Sequence, residues 1–220
     1  MSIQLLFVAA MVFGASVAID ARRADDGRLK DAELVLTEMA GSFDTGIPKS
    51  LFSKARCVVI IPGVKKAALG IGGQYGRGYI SCRLDGRWSA PGGIRVEGGS
   101  VGLQIGGSET DVILLVMNQR GVDRLLQNNF KVGADAAVAA GPVGREATAQ
   151  TDITMRAEML AWSRSRGVFA GISLQGSTLR DDSGENKELY GREIDNREVV
   201  SGKVAVPKAA EDLMKALAKF

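Results

Sequence analysis

The sequence predicts an α+β fold: a curved, mainly antiparallel, glycine-rich sheet, open or closing toward a barrel, with N-terminal, short central and C-terminal helices. Three observations predict it. Twenty-eight glycines are spread through strand-like runs rather than gathered in a linker, and glycine inside strands marks bulges, bends or close backbone approach. Apolar residues recur at helical spacing near residues 29–39 and again after Pro207, with β-branched runs between. Hydrophobic residues make up 45% and charged residues 24% of the chain, which is enough apolar material for a real core. At 220 residues one domain is expected rather than two.

Taken in order, Ile3 to Ala18 is almost wholly apolar, ends in small residues and is followed by the charged run DARRADDGRLKD. That pattern predicts a secretory signal peptide over residues 1–18, leaving one domain over 19–220. The n-region carries no Lys or Arg, so an uncleaved inner-membrane anchor is the alternative. A secreted or periplasmic, membrane-associated protein is expected.

Leu29, Ala32, Leu36 and Met39 predict a helix of about four turns, with Asp26 as its N-cap. Pro48 suits the first turn of a short helix ending at Ala55. Cys57 to Ile61 reads as a buried strand, with further strands near 67–71 and 78–83. Asp85-Gly86 predicts a tight turn into a hairpin at Arg87 and Trp88. Two strands are expected over 92–107, and DVILLVM (111–117) fits a central strand, being far too short to span a bilayer. Asn118 is expected to cap a short helix over 120–127. Gly141-Pro142 marks a turn, and residues 146–163 could be helical or strand. Val168 to Leu179 reads as a strand bent at Gly171 and Gly176, DDSGENKE as a polar loop, and Pro207 to Phe220 as an amphipathic helix.

Composition excludes several chemistries. The chain has no histidine, which removes Ser-His-Asp and Cys-His nucleophiles and makes a typical zinc site improbable. Its two cysteines, Cys57 and Cys82, could be buried thiols or a cross-strand disulfide. The run GIGGQYGRG lacks dinucleotide-fingerprint spacing because Tyr75 takes the third position, where it is expected to pack on a neighbouring strand. No GKS or GKT phosphate loop occurs. Ser173 in GISLQG is a near miss to a nucleophile elbow without a base beside it. Gly141 to Arg145 is expected to be a structural turn.

Basic residues are uneven along the chain. Residues 61–107 hold six basic against two acidic side chains, whereas 181–220 hold seven against nine. The first half is therefore the expected anion-facing side. Lys65 and Lys66 follow Pro62-Gly63 at a strand end, where their heads can reach an anionic surface. Arg164 and Arg166 share one strand face by alternation and could grip a phosphate. Structurally they could instead pair with Asp135 or Glu158. Arg77 adds to the cationic side.

Five stretches in order carry a resemblance: IPGVKKAALGIGGQYGRG (61–78), WSAPGG (88–93), GGSVGLQIGG (98–107), GADAAVAAGPVGR (133–145) and SRSRGVFAGISLQGS (163–177). Together they closely resemble the SYLF family, the lipid-binding domain also called the Ysc84 actin-binding domain, from about Leu34 to the C-terminus. The resemblance favours strand over helix for 146–163 and implicates the N-terminal helix in membrane contact. It implies a non-enzymatic domain without metal or cofactor that recognises anionic lipid head groups. Eukaryotic relatives take phosphoinositides, and some also bind actin filaments. With a leader and no SH3 or FYVE module, this chain is not expected to bind actin, and no nucleic-acid partner is expected. Bacterial envelopes offer mainly phosphatidylglycerol and cardiolipin, so the phosphoinositide preference is not carried over. The expected lipid-binding residues are Lys65, Lys66, Arg77, Arg164 and Arg166. The alternative is an envelope scaffold binding a protein partner through the same surface.

Overall fold

A computed structural model describes residues 27–41, 46–142, 157–165, 168–170, 174 and 176–220. The expected leader, the Asp26 cap, the Gly171 bend, Ser173, Arg166 and the end of the Gly141–Arg145 turn lie outside the described residues.

Two long strands dominate the fold. β1 (Cys57–Leu84) and β3 (Gly92–Val116) pair antiparallel from Ile80↔Gly92 to Cys57↔Val116, with bulges between Ile61 and Val64 and between Leu69 and Ile71. The sequence predicted three strands in the first and three in the second. The ladder shifts register at the two bulges, which hold Gly63 and Gly70, and then resumes, so each run is one bent strand. A straight 28-residue strand would span roughly 90 Å, against a radius of gyration of roughly 17 Å for a compact chain of this length. β1 therefore has to curl. It does so until its ends meet: the Arg83 N–H donates to the Arg56 carbonyl at 2.6 Å, and Cys57 and Cys82 form a disulfide. The link selects the disulfide from the two alternatives left open by spacing. Replacing both cysteines by alanine should cost about 2–4 kcal/mol, read as a lower chemical-denaturation midpoint under oxidising conditions. An unchanged midpoint would show that the curl holds without the link.

The turn at Asp85-Gly86 has positive φ at both residues and leads into β2 (Arg87–Trp88), which pairs back on β1 as expected. The upper half of β3 pairs with β6 (Met159–Ser165), the lower half with β8 (Thr178–Asp181). β4 (Phe130–Lys131) borders β8, while β5 (Val138–Ala140) and β7 (Val168–Ala170) border β6. The β5–β6 pair is parallel and the others are antiparallel. The result is α+β with a curled, mostly antiparallel sheet, as the sequence predicts.

Strand alternation sorts the core into two layers. Val59, Ile61, Val112 and Leu114 point into the curl with Val64, Ile80, Phe130 and Leu179. Val58, Ile60, Ile113 and Leu115 point outward beneath the helices. Those helices are α1 (27–41), α2 (Lys49–Lys54) and α6 (Glu211–Leu217). In α1, Leu29, Leu36 and Met39 are at most 2% exposed, each contributing about 1.5–3 kcal/mol by burial. Phe52 of α2 stacks on Phe220 at 4.7 Å between ring centroids. α3 (Gln119–Leu125) is capped as expected by Asn118, whose Oδ1 accepts from the Gly121 N–H at 3.0 Å.

One predicted loop is a helix. DDSGENKE forms α4 (Ser183–Tyr190), capped by Asp182, whose carboxylate accepts from the Glu185 N–H at 3.2 Å, and ended by Gly191 at φ 68°. Asp182-x-x-Glu185 is the spacing of a capping box, and glycine suits the left-handed C-terminal position. Polar composition hid the helix because it buries polar groups: Glu185 and Asn186 are at most 1% exposed. Asn186 accepts from the Gly93 N–H at 2.6 Å and donates to Asn196 of α5 (Asn196–Glu198) at 2.9 Å. A Cβ on Gly93 would lie 2.6 Å from that of Glu185, so WSAPGG ends in glycine to let α4 dock.

Candidate functional site

Arg28, Asp31, Val35 and Glu38 recur at spacings of three, four and three, so they share one face of α1 beside its buried stripe. That face is one wall of a groove of about 910 Å³. The opposite wall is built by the first bulge of β1 (Pro62, Gly63, Lys65) and by Tyr75, Gly76 and Arg77 farther along the same strand. Glu109 and Asp111 on β3 and Arg164 on β6 close it. Leu34 and Tyr75, 45% and 48% exposed, stand on this groove. Tyr75 thus faces solvent rather than packing on a neighbouring strand, correcting the sequence expectation.

The curl brings together three of the five expected cations, Lys65, Arg77 and Arg164, and adds Arg28. Lys66 is not among the groove's lining residues. It lies two residues from the buried Val64, on the other face of β1, and burial pushes its ammonium below the usual lysine range. Arg166 lies outside the described residues.

Each groove arginine is held by carboxylates. Arg164 spans Glu38 of α1 at 2.7 Å and Asp111 of β3 at 2.8 Å, rather than Asp135 or Glu158. Glu158 instead takes Arg124 at 2.9 Å. Burial opposes the charge on Arg164, but the bonds to Asp111 and Glu38 outweigh it and raise its pKa. Arg77 pairs through Nε with Asp182 and through Nη2 with Glu185 at 3.3 Å. The hydrogen bond to Asp182, first among several causes, raises the Arg77 pKa. In Asp182 itself burial works toward protonation, yet the Arg77 bond prevails and holds the carboxyl below its usual range. Glu185 also pairs with Arg28 and accepts the Tyr79 hydroxyl. The face of α1 is therefore fastened by Arg28–Glu185 near one end and by Glu38–Arg164 near the other.

Sequence reasoning missed Arg28 and the acidic partners. The signal was present: a second charged stripe ran along α1, next to the apolar one that was used to predict the helix. Glu185 was hidden inside the segment predicted as a loop. Among the described residues, no group of three or more His, Cys, Asp or Glu side chains could hold a metal ion, and no helix is long and apolar enough to cross a membrane.

The described architecture is a helix-walled groove on a curled, mostly antiparallel sheet. Residues 97–220 match the family described as Ysc84, Las17-binding protein actin regulator, and the chain belongs to this family. It is 37% identical over 175 residues to the SH3 domain-containing protein PJ696.02 of Schizosaccharomyces pombe, covering 78% of this chain and 40% of that protein. Protein YSC84 of Saccharomyces cerevisiae is 34% identical, covering 79% of this chain and 38% of its own length. The human SH3 domain-containing YSC84-like protein 1 is 32% identical, covering 80% and 52%. The chain thus spans about two fifths to one half of the length of the relatives it matches. By its description the family is one of actin regulators rather than of enzymes.

Proposed function

We propose that this chain is a non-enzymatic domain that docks on a membrane surface by recognising anionic phospholipid head groups, and that it works in the bacterial envelope. The observation that carries this reading is the convergence of Arg28, Lys65, Arg77 and Arg164 on one groove that also exposes Leu34 and Tyr75. Guanidiniums carry five N–H donors each, so arginines already bound to carboxylates retain donors for a phosphate. Leu34 and Tyr75 offer apolar surface for shallow insertion beside the helix. A disulfide between Cys57 and Cys82 fits an oxidising compartment, in keeping with a secretory leader over 1–18.

A second reading is an envelope scaffold that takes a protein partner in the same groove. It is favoured by the carboxylates of Asp31, Glu38, Glu109 and Asp111, which equal the cations in number, and by a family description that names a Las17-binding protein. Vesicle co-sedimentation separates the two. On the lipid reading, binding rises with phosphatidylglycerol content and falls with salt. Lys65→Glu should lower binding about fivefold or more, at about 1 kcal/mol for the groove cation lost. Binding indifferent to both anionic content and this change would overturn the lipid reading in favour of the scaffold.

A further inference from the structure

The groove pairs its charges unevenly. Arg77 and Arg164 are held by carboxylates, and Arg28 by Glu185. Among the described residues no ion pair involves Lys65, Asp31 or Glu109, all three of which are exposed on the groove. Lys65 and Glu109 lie directly opposite in the β1–β3 register, and Asp31 faces the groove from α1. A purely anionic ligand would meet one uncommitted cation and two uncommitted carboxylates. The exposed ring of Tyr75 stands in the same wall as Lys65, where an aromatic face attracts cations.

We propose that the groove recognises a membrane-embedded aminophospholipid head group of the phosphatidylethanolamine kind, carrying a phosphate and a primary ammonium together. This deepens the membrane-docking reading and rests on it. The phosphate sits against Lys65 and the spare donors of the groove arginines, and the ammonium lies between Asp31 and Glu109 near Tyr75. A primary ammonium donates hydrogen bonds to both carboxylates, which strengthens the contact beyond charge attraction. A choline head group has no N–H to donate, so the site discriminates ethanolamine from choline at equal net charge.

The test uses the full chain and sedimenting vesicles with a fixed phosphatidylglycerol fraction, the remainder being either phosphatidylcholine or phosphatidylethanolamine. The expected result is binding about tenfold tighter to the ethanolamine vesicles, the ratio that charge-assisted hydrogen bonds of ordinary strength would give. Asp31→Asn/Glu109→Gln should abolish that preference while keeping or strengthening the dependence on phosphatidylglycerol. Equal binding to the two vesicle types would overturn this inference alone, leaving the anionic reading in place. A preference that survives in the double variant would overturn it too, because ethanolamine would then act through bilayer packing. Failure to bind either vesicle would overturn both readings.

Discussion

Gly78→Ala should prevent the chain from accumulating as folded, soluble protein. A Cβ at this position would lie 2.0 Å from the carbonyl oxygen of Ile60 and 2.7 Å from the Cα of Ile61. Both are backbone atoms of the same strand, so no side-chain rotation relieves the overlap. The two segments of β1 would have to move apart, opening the curl that buries Ile61, Val64 and Ile80. Overpacking a core ordinarily costs about 1–3 kcal/mol, and a clash between main chains cannot be cheaper. Gly73→Ala is the matched control, since its nearest neighbour is the Gly98 carbonyl at 3.9 Å. Soluble yield and thermal unfolding of the two variants should differ sharply. A Gly78→Ala protein that melts with the parent would refute this close approach of the two segments.

Removing the carboxylate of Glu185 should be the most damaging single change at the groove. Its side chain is 1% exposed and takes Arg28, Arg77 and the Tyr79 hydroxyl. Breaking a buried pair by deleting one partner costs about 3–5 kcal/mol, because the surviving charge stays desolvated. Arg28 and Arg77 keep 20% and 28% side-chain exposure, so water can partly replace the lost partner and the lower end applies. Glu185→Ala should thus lose about 3 kcal/mol, or about 6–12 °C in melting temperature for a domain of this size. Glu185→Gln should recover part of the loss by keeping an acceptor for Tyr79. Equal melting of the alanine and parent proteins would show that the cluster contributes nothing to holding α1.

The elements legible in the sequence were those whose burial follows a simple period. Leu29, Leu36 and Met39 announced α1, Val58 to Ile61 announced the start of β1, and Asp85-Gly86 announced the hairpin. Glycine was legible as bending, but not as continuity. Nothing in 61–78 says whether a glycine ends a strand or lets it bend onto its own earlier part, because the answer depends on backbone atoms of residues far away in sequence. α4 went unread because its capping signals framed a segment with almost no apolar face. In the groove, cationic residue types pointed to Lys65, Arg77 and Arg164. The carboxylate partners of the two arginines were invisible because Glu38, Asp111, Asp182 and Glu185 come from separate parts of the chain brought together only by the fold. Lys66 was grouped with Lys65 by adjacency, although strand alternation sends neighbours to opposite faces.

The curled ribbon of β1 and β3 also has a kinetic corollary. Its pairs run from Ile80↔Gly92, beside the hairpin, to Cys57↔Val116 at the far end, and non-local pairing of this kind slows folding. The two thiols meet only when the far end of the ribbon has returned to the near end. Trapping free thiols during refolding would therefore time the return of one end of the ribbon to the other.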